Sequence, residues 1–453
     1  MRSHRGETRF DVMNVNVVRT RAHYKATVCS DSVRRPRRGV SHCVWLEPVE
    51  EWRRSCVEAY EMKANRVRDI DFWRGAVLIA ILIDHIPGNP LEHWTPRNFG
   101  LSDSAEAFVF LSGLSVGLIY VPRAYKYGIE PVAGGCLRRA LKLYGVHIAL
   151  TLAALLVFGA AYWLSGVPDL IEAHGRSFVF GSPANGLLGL ALLSHQLGYF
   201  NILPLYVVLM LWAPVALALS LRGPVLALTV SIGLYAAARI FGINLPNWPE
   251  PGGWFFNPIA WQLIFTLGLV AAILWRDGFP RPAPWLIVLS VATVAGAALI
   301  VTEGVGLAPG LRGAATAHLD VAKQDLGLAR LVHFVALAYL IAAATTTLRR
   351  FVAPMIRSAV GEAVQGLGRN SLPVFAAGCL LSACGQAGLV AASPHASAGV
   401  AQLVGLAYTV VSIAALFAIA HWIECRSIPA RVAGSAAPPL PRAWRALRSS
   451  SSS

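Results

Sequence analysis

Charge is what this 453-residue chain has least of: Asp, Glu, Lys and Arg together make up 14% of it. A soluble domain carries about 25%. That shortage, with 55% apolar residues and a mean hydropathy of +0.54, excludes an ordinary soluble protein and points to a polytopic membrane protein. Cysteine is also sparse. The seven cysteines form no Cys-x-x-Cys pair and no metal-ligand spacing, so neither a disulfide framework nor a zinc site is expected. Cys379 and Cys384 lie within an apolar run, where a small buried hydrophobe is the default. No apolar stretch follows the basic start, so no cleavable signal peptide is expected. No P-loop, no Gly-x-Ser-x-Gly nucleophile motif and no dinucleotide fingerprint in a strand–helix context is expected. The net charge of +15 does not signal nucleic acid, because the basic residues collect in tails and in connections between apolar runs.

What is there is a series of apolar runs. Ten are long enough to span a bilayer, near 70–87, 104–122, 141–164, 201–221, 224–241, 257–275, 284–302, 328–348, 371–391 and 399–423. The third begins as early as Val132 on a generous reading. The stretch 184–200 is apolar but holds Asn185, His195 and Gln196 among glycines, and reads as re-entrant or interfacial. The expected fold is therefore an all-α membrane bundle of about ten helices.

Lys and Arg set its orientation. Five fall in 123–142 and four in 349–370, against one in 88–103, one in 165–200 and none in 242–256 or 392–398. Both termini are expected in the cytoplasm, with His85, Glu106 and the 242–256 loop on the outer side. Three segments are expected: a basic extension over 1–65, a membrane domain over 66–425, and a disordered cytoplasmic tail over 426–453. Residues 1–61 are polar, Arg-rich and aperiodic, so they are either a disordered cytoplasmic tail or, as expected here, precede a true start at Met62.

The runs near 70–87 and 104–122 carry ionisable residues that a membrane anchor does not need: Asp71, Arg74, Asp84, His85, Asp103 and Glu106. On a helix, Arg74 and His85 fall within about 20° of one azimuth and about 16 Å apart. A charge deep in a bilayer costs roughly 2.5–3.5 kcal/mol, so such a stripe faces a bundle interior or a cavity. Otherwise both residues sit at the two interfaces and snorkel. Asp103-Ser104-Ala105-Glu106 has capping-box spacing. Glu106 either closes that box or faces His85 across an outer vestibule.

Four further clusters stand out. Arg138, Arg139 and Lys142 are ordinary positive-inside charge or a landing site for donor phosphates. Asn257 with Pro258 reads as a helix start. Trp254, Trp261 and Gln262 beside it are interfacial residues or a sugar platform. Arg330 and His333 share a helix face downstream of His318, Asp320 and Lys323. Within an apolar span, His333 either serves a site or hydrogen-bonds to a neighbouring helix. Leu367-Gly368-Arg369-Asn370-Ser371 reads mainly as a helix start.

The ordered set Asp71-Phe72-x-Arg74-Gly75, Asp84-His85-Ile86-Pro87 and Leu101 through Gly113 resembles the OpgC family, whose members modify osmoregulated periplasmic glucans. The Arg-to-His spacing and Phe110-Leu111-Ser112-Gly113 are shared with the wider type-three membrane acyltransferases. The segments around Asn257 and Lys323–His333 resemble the same family, and the likeness covers most of 66–424. It implies O-acyl transfer, by analogy succinyl transfer, from a cytoplasmic acyl-coenzyme A to a periplasmic glucan, in a bacterial inner membrane and with glucan-synthesising proteins as possible partners.

Within that reading His85 is the expected general base, since an imidazole titrates near working pH. Asp84 or Glu106 would orient it, and Arg74 would guide the donor arm. Asp71, Asn257, Trp261, Gln262, Lys323, Arg330 and His333 are the expected substrate-binding residues. Arg138 and Arg139 would meet coenzyme A, and no bound cofactor or metal is expected. A transporter or flippase for a glucan or acylated intermediate is the alternative, because intramembrane Arg and His also mark transport pathways. The lack of an internal repeat disfavours it.

Overall fold

A computed structural model describes residues 68–275, 279, 281–304, 306–394 and 396–434. They belong to the compact unit Glu58–Ser453. The expected extension over 1–65, including the Met62 start, lies outside the described residues.

Among the described residues the chain is helical, and its one β feature is an isolated bridge between Pro246 and Gly253. The helices are α1 (68–84), α2 (Ser104–Tyr127), α3 (Ile129–Ser165) and the short α4 (Asp169–Glu172), α5 (Arg176–Gly181) and α6 (Pro183–Ala191). Then come α7 (Ile202–Arg222), α8 (Pro224–Phe241), α9 (Pro258–Leu274), α10 (Pro284–Val301), α11 (Leu311–His318) and α12 (Leu328–Thr347). The chain continues through α13 (Arg349–Arg357), α14 (Ala359–Arg369), α15 (Ser371–Ala392) and α16 (Ala398–Gly434).

Each apolar run falls on a helix. Among the described residues eight helices are long and apolar enough to cross a membrane. The other two runs lie on α1 and α9, each with 17 described residues. At about 1.5 Å per residue these reach about 26 Å, the short end of a bilayer core. Two boundaries differ from expectation. α3 starts at Ile129, upstream of 141, and α16 runs to Gly434, so residues 426–434 are helical rather than a disordered tail. The stretch 184–200 does not cross: α6 has only nine residues, and the chain then turns irregularly through Leu193 and Tyr199, both at positive φ.

The helices sort by what they face. α2, α7 and α9 are mostly buried and form the centre, while α8 and α10 leave most of their apolar surface outward. Outward Trp285, Val288, Leu289 and Leu299 on α10 suit a hydrocarbon solvent. At the centre, small residues let backbones meet. A Cβ on Gly113 of α2 would strike the Phe265 carbonyl of α9, and one on Gly268 of α9 would strike the Phe110 carbonyl of α2. This reciprocal approach locks α2 and α9 together, and α2 carries Ser112 and Ser115 with Asp103 as its cap.

The caps follow from the sequence. Asp103 accepts from Ala105 N–H at 2.8 Å while Glu106 accepts from Asp103 N–H at 2.9 Å, a complete capping box. Asn257 caps α9 by accepting from Ile259 N–H at 3.0 Å, with Pro258 in the first turn.

Candidate active site

α1 ends at residue 84, and the manner of its ending sets up His85. The His85 N–H turns inward to donate to Leu82 O at 3.2 Å, which releases the Ile81 carbonyl from the helical ladder. The His85 ring takes that carbonyl, with Nδ1 to Ile81 O at 2.5 Å. A carbonyl only accepts, so Nδ1 carries the proton and Nε2 keeps its lone pair. Gln386 Nε2 donates to His85 O at 2.8 Å, and the Tyr199 ring packs edge-on at 4.9 Å. The imidazole is therefore held in one tautomer and one orientation.

His85 lines a chamber of about 410 Å³ built from the ends of several helices and from the 85–103, 166–201, 242–257 and 319–327 connections. Asp84, Arg97, Asp103, Lys323 and Gln386 supply its polar wall, and His174, Tyr199, Phe255 and Phe256 its aromatic one. A second chamber of about 350 Å³ lies at the other end of α1 and is lined by Asp71, Arg74, Ser112, Ser115, Tyr206, Arg139 and Arg369. Arg74 donates to Asp71 Oδ1 and Gly368 O, each at 3.3 Å, and to Ser115 Oγ. The stripe read from the sequence is thus real but divided. Arg74 opens on one chamber and Leu78 on the other, one turn or about 6 Å further along α1. Phe375 of α15 lines both chambers and stacks on Phe108 at 5.6 Å.

Several expected site residues are placed elsewhere. Glu106 is 0% exposed and does not line the His85 chamber. Its carboxylate meets Arg330 at 2.6 Å, so it does not orient His85. Asp84 does line the chamber, but it accepts from Thr95 Oγ at 2.6 Å and pairs with Arg97 at 3.3 Å. The group that orients His85 is a backbone carbonyl, not a carboxylate.

Arg330 also reaches Asp103 at 3.1 Å, and Lys323 reaches the same Asp103 oxygen at 2.6 Å. Burial alone would raise the Asp103 carboxyl, but the Lys323 and Arg330 cations hold it well below the usual carboxylate range. The four groups tie α2 to α12 and to the preceding loop. Lys323 borders the chamber, whereas Arg330 and Glu106 do not.

His333 is buried, and its Nδ1 accepts from Ser102 N–H at 3.3 Å with Ser102 Oγ at 2.7 Å. Its ring fills the space above Gly100, the hydrogen-bonded structural role.

Trp261 is 0% exposed, and its indole N–H is spent on Lys323 O and Gln324 O, both at 3.1 Å. Gln262 is buried against Ser231, accepting from Ser231 Oγ at 2.6 Å, and Trp254 and Asn257 are buried too. None of these four is available as a sugar platform. Their role is to hold the start of α9 and the 319–327 loop. Arg139 lines the Arg74 chamber, while Arg138 beside it does not line it and is exposed.

Sequence reasoning missed Ser115, Tyr199, Tyr206 and Phe375, and read Arg369 only as part of a helix start. Gly113-Leu114-Ser115-Val116-Gly117 does have Gly-x-Ser-x-Gly spacing. It lies inside α2, where Ser115 donates to Leu111 O at 2.6 Å and accepts from Arg74, so it is no nucleophile elbow. Among the described residues no group of three His, Cys, Asp or Glu is placed to hold a metal ion.

A family model described as OpgC protein matches residues 66–428, which include both chambers. No curated protein and no solved structure matches the chain.

Proposed function

The chain belongs to the OpgC family, and from that membership and the two chambers we propose that it is a membrane O-acyltransferase moving succinyl or a similar acyl group from cytoplasmic acyl-coenzyme A to a periplasmic glucan. The family implies an acyltransferase-like role in glucan modification. The observation that carries the finer reading is His85, held by Ile81 O so that Nε2 keeps its lone pair, in a chamber distinct from the one that holds Arg74.

In this reading the His85 chamber faces the outside of a bacterial cytoplasmic membrane and receives the acceptor. The Arg74 chamber faces inward, where Arg139 offers a cation to an anionic donor beside Arg74 paired with Asp71 and Arg369 paired with Glu362 and Glu424. A glucan hydroxyl is a weak nucleophile until a base takes its proton. His85 Nε2 takes that proton as the oxygen attacks the thioester carbonyl. The new C–O bond forms, the C–S bond breaks, and the proton passes from Nε2 to the departing sulfur. General base catalysis of this kind is worth about 10²–10⁴-fold.

Purified protein given acyl-labelled coenzyme A thioester and glucan tests the proposal. Label covalently on the glucan supports it. Glucan that crosses a vesicle membrane without gaining label would instead make the chain a transporter.

A further inference from the structure

Two short stretches outside the long helices fold over His85. One is the turn at His174 and Gly175, the other the irregular chain 193–200. They are stitched together where Gly198 N–H donates to His174 O at 2.9 Å and His195 Nε2 donates to Gly175 O at 2.8 Å. The stitching holds two bulky residues in the left-handed region, His174 at φ 59° and Tyr199 at φ 71°. Such backbone is disfavoured for bulky residues and persists where the surroundings over-determine it, often at functional sites.

The strain places rings. His174 and Tyr199 meet at 5.0 Å, and Tyr199 meets His85 at 4.9 Å, so three rings run from the chamber mouth to the base. Phe255 lines the same chamber and packs edge-on against Phe256 at 4.9 Å. Tyr199 is 37% and Phe255 48% exposed, unlike the sealed Trp261 and Trp254. Among the described residues the Tyr199 hydroxyl makes no hydrogen bond.

The charges say what kind of ligand fits. Arg97 and Lys323 are the cations on the chamber wall, and Asp84 and Asp103 balance them. A wall whose charges cancel in pairs, with exposed aromatic faces beside hydrogen-bonding groups, suits a neutral ring with an apolar face and a hydroxyl edge. A pyranose has both. About 410 Å³ is within the usual range for small-molecule sites.

We propose that Tyr199, His174 and Phe255 form the acceptor subsite, a shelf on which the C–H face of a glucose unit packs while its hydroxyl edge points at His85 Nε2. This rests on the glucan being the acceptor, as proposed above. The aromatic faces do the binding, so Tyr199→Phe keeps the site and Tyr199→Ala removes it.

The test is steady-state acyl transfer by the full-length protein, varying a linear β-glucan oligosaccharide and an acyl-coenzyme A separately. Tyr199→Ala and Phe255→Ala should each raise the KM for the oligosaccharide about ten-fold or more, which is about 1.4 kcal/mol of binding. The KM for the donor should stay within about two-fold, as should the oligosaccharide KM of Tyr199→Phe, since one ring-for-ring change keeps the face. If Tyr199→Ala is not recovered folded, Phe255→Ala decides, because its ring stands at the surface. An unchanged oligosaccharide KM in the alanine variants overturns the shelf and leaves the acyltransferase reading standing. Wild-type protein that transfers no label to the oligosaccharide overturns both.

Discussion

Replacing Arg330 by Met leaves a fully buried carboxylate without the cation that meets it at 2.6 Å. Asp103 would keep Lys323 at 2.6 Å, but Glu106 would keep only the Asp103 N–H at 2.9 Å. Stranding one partner of a buried pair costs about 3–5 kcal/mol. Glu106→Gln is milder, because Arg330 still has Asp103 at 3.1 Å and the amide is neutral. Its cost is of the order of one unmade buried hydrogen bond, about 1–3 kcal/mol. The double variant strands no carboxylate, so its loss should fall short of the summed single losses by about 3 kcal/mol, at least as much as Glu106→Gln costs alone. Thermal unfolding in detergent is the assay. Unfolding of such a protein is often irreversible, so the order of apparent midpoints at one scan rate is the readout. The order should be wild type, then double variant, then Arg330→Met. Acylation per folded molecule should survive in Glu106→Gln, since Glu106 serves the fold and does not touch His85. An Arg330→Met protein that melts with wild type, or a double variant below it, would refute the reasoning.

Other outcomes follow from the same geometry. Arg74→Ala should lose acylation and also membrane yield, because Asp71 and the Gly368 carbonyl lose their donor, while Arg74→Lys restores yield better than acylation; equal recovery of both would remove the special role of the guanidinium. Asp103 is held below its ordinary range, so its ion pairs contribute fully above about pH 4 and that contribution is lost as pH falls toward the depressed value. The midpoint difference between wild type and Asp103→Asn should accordingly be constant from pH 7 to 5 and shrink only below pH 4; shrinkage between pH 7 and 5 would contradict the pairing. A reporter fused after Trp248 should sit outside the membrane and one after Arg350 inside, and finding both on one side would overturn the ten-span arrangement.

The residues that sequence alone revealed were those that offend the bilayer. Arg74 and His85 were conspicuous as ionisable groups on one stripe of an apolar run, and they do open on the chambers. Asp103 and Asn257 were readable as caps, because a cap is a local matter of spacing. Long-range pairings were not readable. Glu106 finds Arg330 at a sequence distance of 224, and nothing near either residue announces it. Trp261 and Gln262 failed for a geometric reason: a helix start shows depth in the membrane but not which way each residue points. The orienter of His85 was hidden because it is a main-chain carbonyl set free by the way the helix ends. Tyr199, Phe255 and Phe375 were invisible as aromatics among many, and only packing separates those that line a cavity from those that fill the core.

The most direct test of His85 as the base is a single comparison, His85→Ala against wild type, each purified and supplied with acyl-labelled coenzyme A thioester and glucan. Removal of His85 leaves no buried charge unpaired and only the Ile81 carbonyl without its donor, so protein level should stay near wild type and melting should fall less than in Arg330→Met, while label on the glucan disappears. Full labelling of the glucan by folded His85→Ala protein would contradict the account and take His85 out of the chemistry.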